Sequence, residues 1–314
     1  MDAKQAKAET VDPNVVAIVL TWNDTAMSAR CIQSLIDTRY PGLEIVLVDN
    51  GSTPPCAAPL KEQFPEIHTM ALDQNYGFTG GCNAGLQYGL DRGARYLFLL
   101  NNDTIVGPDA ITELVKAMNA HEEAGAASPL LLFPGEDRRV QFFQGFFNRD
   151  LARHWATEDG EPWQPGYART IETDFIPACA PIYRAEALRQ VGLFDESLFT
   201  NWEDYDLHVR LHDAGWKLLT VGTAEVVHAH GQTTGRISPF ITYLFTRNRL
   251  VCLFRHGRPM GIIRHLPLYL RTIIWQMREY GWTNWPAHRA FLRGTLDFFL
   301  GIRGKGNVPT KRSD

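Results

Sequence analysis

Three short apolar runs rich in β-branched and aromatic residues, Val15 to Leu20, Ile45 to Val48 and Tyr96 to Leu100, constrain this chain more than anything else in it. The helical stretch Ala26 to Thr38 and a turn at Pro41-Gly42 separate the first two, and a second helical stretch, Asn83 to Arg92, precedes the third. Strand, helix and fully buried strand in alternation is the signature of a parallel sheet covered on both faces. The strands end at Thr21, Asp49 and Asn101. Ligands of open α/β sheets bind beyond the carboxyl ends of strands, so these positions are expected to share one cleft. Farther on, Ala110 to Ala120, Ile182 to Val191 and Glu203 to Ala214 read as helices, with short strands at Lys217 to Val221 and Glu225 to Val227. Residues 134–170, rich in Gly, Pro, Arg and aromatics, read as irregular or short-stranded, and the chain beyond Arg236 reads as helical with proline breaks and a loose Gly/Lys/Arg tail.

The 314 residues suit one large domain with an annex or two ordinary domains, and 45% hydrophobic against 21% charged residues excludes disorder for most of the chain. Five scattered cysteines without a C-x-x-C argue against a disulfide framework or zinc ribbon and for a reducing compartment. The polar start MDAKQAKAET has no apolar signal core, and arginines interrupt every candidate membrane span, so a cytosolic location is expected. The net charge of −4 hides an asymmetry: 14 basic residues face three acids from Arg236 onward, leaving −15 on residues 1–235. The two regions are expected to have different partners.

Several constellations sit where the cleft should be. Asp49-Asn50-Gly51-Ser52 is either a turn or an acid placed to accept the N3–H of a pyrimidine. The glycines of Asn75 through Gly85 either bring backbone N–H groups to a phosphate or let a helix pack closely. Asn101-Asn102-Asp103 puts one carboxylate at a strand end, as a turn residue or as a ligand for a hard cation on a diphosphate. Trp202-Glu203-Asp204-Tyr205-Asp206 gathers three acids in a helix first turn, where the dipole favours carboxylates and Asp206 with Arg210 makes a common surface pair; a partly buried one among them is a candidate general base. His228 and His230 project to the same face but do not make a metal centre, and His208 with His212 lack the Glu of a zincin motif and read as structural.

In order and spacing, the segments Val16 to Asn23, Val48 to Ser52, Asn75 to Gly85, Asn101 to Asp103, Gly192 to Glu196, Trp202 to Leu207 and His228 to Gly231 resemble the family 2 glycosyltransferases, with the rhamnosyltransferase-like enzymes of bacterial polysaccharide assembly as the nearest subgroup. The resemblance covers roughly residues 14–235. It implies a GT-A fold, a Rossmann-like mixed sheet flanked by helices, here followed by a mainly helical C-terminal extension; residues 1–235 would be the catalytic domain and 236–314 the basic extension. It also implies an inverting transfer of a sugar, rhamnose favoured, from a dTDP- or UDP-sugar to a hydroxyl of a glycan or polyprenyl-linked acceptor, with a divalent cation, Mg²⁺ or Mn²⁺. Carried over by position, Asp49 would bind the pyrimidine with Thr21 and Asn23 beside it. Asn75, Gly80, Gly81, Asn83, Asn101, Asn102 and Asp103 would line the nucleotide-sugar site, Asp103 and His228 would hold the cation, and Asp204 would be the base with Glu203 and Asp206 orienting it. Two departures stand out: the D-x-D motif reads Asn101-Asn102-Asp103, leaving one carboxylate for the cation, and Pro177-Ala178-Cys179-Ala180 replaces a Gly-containing segment on the acceptor side.

The C-terminal region interleaves Arg247, Arg249, Arg255, Arg258, Arg264, Arg271 and Arg278 with Phe, Tyr and Trp. That pattern suits either anionic lipid at the cytoplasmic face of the inner membrane or a helical cap or oligomer interface; no nucleic-acid motif accompanies it. Competing readings are an NAD(P)-dependent oxidoreductase, disfavoured by the missing G-x-G-x-x-G after the first strand, and a non-catalytic nucleotide-sugar-binding protein, disfavoured by Asp103 and Asp204 both being present.

Overall fold

The computed structural model describes residues 14–229, 238–257 and 284–306, with residues 263, 267, 271, 274 and 278. The start 1–10, His230, Gly231, Arg258, Arg264 and the end of the Gly/Lys/Arg tail lie outside the described residues. The first half alternates as expected: β1 (Val15–Thr21), α1 (Thr25–Asp37), β2 (Leu43–Asp49), α2 (Ala57–Gln63), β3 (His68–Ala71), α3 (Gly77–Asp91) and β4 (Tyr96–Asn101). Strand β1 pairs in parallel with β2 and β4, and β2 with β3. Val15 through Val19 are wholly buried, so both faces of β1 are covered. On one face the α3 glycines set the approach: a Cβ on Gly85 would collide with Ile18 Cγ2, and one on Gly89 with Leu97 Cδ2.

The second half adds β5 (Thr104–Val106), α4 (Ala110–Ala120), β6 (Ala124–Leu132), β7 (Val140–Phe142), the hairpin β8 (Gly145–Asn148) and β9 (Arg153–Ala156), β10 (Thr170–Thr173), β11 (Ile182–Arg184), α5 (Ala185–Val191), α6 (Glu203–Asp213) and β12 (Lys217–His228). The main path through the sheet is β10-β12-β6-β11-β4-β1-β2-β3, with β11 antiparallel to both β4 and β6. The sheet is therefore mixed, as the family resemblance implies.

Three local expectations change. The helix expected over Ile182 to Val191 is a strand followed by a shorter helix, because Ile182 fills the gap between Phe98 on β4 and Ala127 on β6. Helix α3 opens at Gly77 rather than Asn83, so the glycines lie inside it. The two short strands near 220 are one long strand with an irregularity between Val221 and Glu225; Val221 pairs with Pro129 of β6, where the ladder lacks an N–H.

Beyond the sheet, α7 (Pro239–His256) and α8 (Trp285–Phe299) pack on each other, and Cys252 and Leu253 of α7 belong to the same core as β1. The composition changes at residue 235 while the packing runs across it. The basic face expected to meet lipid loses three members: Arg247 is wholly buried, Arg249 donates to the carbonyls of Leu151 and Ala152, and Arg255 bonds to Asp195 and Asp206. Each is consumed by an acceptor of the catalytic half. Among the described residues no helix is long and apolar enough to cross a membrane.

Candidate active site

Register places the donor side. Thr21 lies opposite Asp49 and Leu20 opposite Asn101, so three strand ends stand side by side at the carboxyl edge. Asp49 is buried and its carboxylate already works: Oδ1 accepts the N–H of Ser52 at 3.0 Å, and Oδ2 those of Cys56 at 2.7 Å and Ala57 at 3.0 Å. Two acceptor positions per oxygen leave one open, on Oδ1. The carboxylate thus caps α2 with one lone pair uncommitted.

Asn23, in the left-handed region at φ 58°, donates its N–H to Ser52 Oγ at 2.9 Å and accepts Thr53 N–H on Oδ1 at 2.7 Å, locking the loop after β1 to the loop after β2. Thr21 is buried and bonds to Ser28 Oγ at 2.7 Å, which places it beneath the cleft wall rather than on it.

The glycine-rich segment resolves toward close packing. A Cβ on Gly81 would stand 2.5 Å from Leu20 Cδ1 and 3.0 Å from Asn50 Nδ2. Gly80 and Gly81 also follow the first turn, so their N–H groups belong to the helix ladder and not to a phosphate cradle. Two of the free first-turn donors are taken as well, Gly77 N–H by Asn75 Oδ1 at 2.8 Å and Thr79 N–H by the Phe199 carbonyl at 3.2 Å. Asn83 binds both backbone groups of Phe194 and the Glu196 carboxylate, and Asn75 also accepts from Asn50. These four residues build the wall beside the strand ends, held by the partners named.

Asp103 and His228 meet at the expected place. Antiparallel pairing of β12 with β5 sets His228 beside Thr104, and His228 Nε2 lies 3.3 Å from Asp103 Oδ1, both side chains almost buried. On the far side of the ring, Nδ1 is 2.8 Å from Gln141 Oε1, which can only accept; Nδ1 therefore carries the proton and Nε2 faces Asp103. Burial disfavours a charged ring, but Cys179 and then Asp103 outweigh it and the His228 pKa is pushed up to about 10. Asn102 turns away to Ser28 Oγ at 3.2 Å, so the single carboxylate of the motif does stand alone. Among the described residues no three ligating side chains cluster. Once a cation displaces the Nε2 proton, a carboxylate and an imidazole oriented by an outer partner fit two positions of a divalent cation, with the rest left to a diphosphate and water.

Asp204 occupies the first turn of α6, with Oδ1 2.8 Å from Tyr205 N. Burial raises its pKa, opposed by backbone N–H groups of Tyr205, of Asp204 itself and of Ala178. Glu203 is driven further the same way, by burial first and then by the charge of Asp204, and its Oε2 has no hydrogen-bond partner. Two adjacent buried carboxyls cannot both ionise freely, so the pair keeps a proton above the ordinary carboxylate range. Asp206 is not the surface partner of Arg210 that helical spacing suggests. It is wholly buried, accepting Arg255 and His256 at 2.8 Å on Oδ1 and Arg210 at 2.9 Å on Oδ2. Burial alone would raise its pKa; the His256 bond, then Arg210 and Arg255, hold it well below the usual carboxylate range.

The segment that departs from the family pattern joins these parts. Asn101 N–H donates to Cys179 O at 2.8 Å, Cys179 adjoins His228, and the N–H of Ala178 reaches the Asp204 carboxylate. Two consecutive residues thus touch the cation pair and the base, which stand at one end of β4 with Asp49 two strands away. Sequence reasoning did not find Gln141, which lies in the stretch without periodicity, nor the α7 side chains that hold Asp206; only the histidine and the acid they serve were visible.

The fold is of the GT-A type: the crystal structure of GalNAc-T7 with UDP, GalNAc and Mn²⁺ superposes with a TM-score of 0.60 at 16% identity over 76% of this chain. The chain spans about half, 48%, of that protein. Residues 16–191 match the family model of glycosyl transferase family 2, and the chain belongs to that family. Among curated relatives, an N-acetylglucosaminyl-diphospho-decaprenol L-rhamnosyltransferase of Mycobacterium tuberculosis is 26% identical over 239 residues, 70% of this chain and 77% of that one. The dTDP-rhamnosyl transferase RfbF of Shigella flexneri is 22% identical over 310 residues, 94% and 99% respectively.

Proposed function

We propose that this enzyme transfers L-rhamnose from dTDP-rhamnose, with inversion, to a hydroxyl of a sugar carried on a polyprenyl diphosphate. The observation that carries the reading is the meeting of Asp204 with the Asp103–His228 pair across Ala178 and Cys179. The substrates are suggested by what the two rhamnosyltransferases are named for.

In the transfer, Asp204 takes the proton of the acceptor hydroxyl as its oxygen bonds to the anomeric carbon, and the bond from that carbon to the diphosphate oxygen breaks on the opposite side. Glu203, where it keeps the pair's proton, adds no second charge to oppose the approach of the acceptor. Asp49 offers its one open acceptor to a pyrimidine N–H. Asp103 and His228 Nε2 would hold a divalent cation, Mg²⁺ or Mn²⁺, which when bound supplies positive charge to the departing diphosphate. The exposed aromatic residues Phe254 and Trp285 offer apolar surface for contact with the lipid where such an acceptor resides.

The test is a turnover panel of dTDP-rhamnose, UDP-sugars and GDP-sugars with a lipid-linked acceptor, with Mn²⁺ and with chelator. Rhamnose transfer from the dTDP donor, abolished by chelator, is expected. Turnover with a GDP-sugar alone would overturn the donor assignment, and full turnover in chelator would overturn the cation's.

A further inference from the structure

We propose that Asn248, braced by Arg247, is a positioning residue for Asp204: from α7 it clasps the loop 198–202 that delivers the base into the site. This rests on the reading of Asp204 as the base. The loop is an unfavourable one, since Phe199, Asn201 and Trp202 all hold φ between 66° and 74°, a left-handed backbone that side chains with a Cβ disfavour. Trp202 is the residue immediately before α6, so its left-handed turn sets the direction in which Glu203 and Asp204 leave the loop.

Something outside the loop must hold it, and two elements do. On one side Thr79 of α3 donates both its N–H and its Oγ to the Phe199 carbonyl, at 3.2 and 3.3 Å. On the other, the wholly buried Asn248 directs one amide nitrogen at three carbonyls, Leu198 at 2.8 Å, Thr200 at 2.9 Å and Asn201 at 2.9 Å. Its Oδ1 accepts Arg247 Nε at 3.0 Å and Nη2 at 2.8 Å. A guanidinium has only donors, so it fixes which end of the amide is oxygen and turns the NH₂ to the loop. Arg247 also reaches the Leu198 carbonyl at 3.3 Å and is tied through the Tyr243 hydroxyl to the buried Asp297 of α8. Asn248 touches neither acceptor nor donor site; it acts through backbone.

The experiment uses the full chain in the donor-and-acceptor assay, with dTDP and UDP binding followed by calorimetry. Asn248→Asp keeps the shape and the partner of Arg247 but turns an acceptor toward three carbonyls; Asn248→Ala removes both ends. We expect kcat to fall about 30-fold in each, since displacement of a catalytic group by about 1 Å can cost roughly 100-fold. The donor KM and nucleotide affinity should stay within about 2-fold, the pattern of an interaction felt only in the transition state. The acid limb of kcat should move to lower pH as water reaches Asp204. An Asn248 that merely supports the fold would lower Tm while leaving kcat and the limb of the folded protein unchanged, and that result overturns the proposal.

If neither variant melts cooperatively, Thr79→Val, which removes one bond from the opposite jaw, decides. A fall of about 3-fold with a shifted limb supports the clasp, and wild-type values overturn it. Asp204→Asn is run beside them. If it keeps turnover, the base reading fails and takes this inference with it; if it is inactive while the Asn248 variants run at full rate, this inference alone fails.

Discussion

The donor side and the base side of the cleft are built in opposite ways. On the donor side the one acid, Asp49, is satisfied by the loop that follows it, residues 52–57. On the base side Glu203 and Asp206 are buried, Asp204 is half-buried, and the group depends on residues far along the chain, Ala178 before them and Asn248, Arg255 and His256 after them. A site held by neighbours tolerates change elsewhere in the fold. A site held from a distance transmits it, so on the proposed reading change in the C-terminal helices reaches Asp204 through the loop they hold.

This contrast is broken most severely at Asp206. Asp206→Asn strands Arg210, Arg255 and His256 around a neutral group, and loss of one partner from a buried ionic cluster costs about 3 to 5 kcal/mol. Thermal unfolding should show a fall on the order of 10 °C for a chain of this size. The sign with pH follows from the depressed pKa: the contribution of Asp206 is complete above the unfolded carboxylate value and is lost as pH falls through the folded one, so the variant's deficit should shrink in acid. Next comes Asp204→Asn, expected to fold normally and lose at least about 100-fold in kcat. In the wild type the base must be ionised, so the acid limb of kcat should lie above the ordinary Asp range, near pH 3.9 for an unperturbed group.

Between the two regions, Gln141→Leu leaves the His228 ring without its outer partner. Titration of turnover with Mn²⁺ should show about 10-fold weaker apparent affinity, the low end for such groups. On the donor side Gly85→Ala drives a methyl into Ile18 and Val48; overpacking costs about 1 to 3 kcal/mol and helix propensity returns up to about 1, so denaturant unfolding should register a net loss of roughly 1 kcal/mol with activity kept. The smallest effect is expected at Glu203→Gln, which imitates the protonated form: kcat within about 3-fold of wild type, against the loss at its neighbour. Equal losses at both positions would erase the distinction between base and bystander.

The legibility of the chain follows the same division. β1, β2 and β4 were visible because a strand buried on both faces reads as an unbroken apolar run. β6 was not, since Ala124 to Leu132 carries small residues and Pro129, and only pairing with β11 and β12 makes it a central strand. At the site, Asp103, His228 and Asp204 could be named from motif order, and Ala178 and Cys179 link them in the fold. The role of Asn248 could not: an Arg-Asn pair in an aromatic helix has no local mark of the loop it holds. Arg247, Arg249 and Arg255 misled for the same reason, because counting positive charge says nothing about which carbonyls and carboxylates absorb it.

One practical outcome concerns chimeras. Exchange of C-terminal extensions between related enzymes is a natural route to new acceptor preference, but here the graft would cut through the hand that grips the turn before Glu203. A hybrid joined near residue 235 should work only when the incoming helix brings its own Arg-Asn pair at the same height, or when the turn is carried across with it.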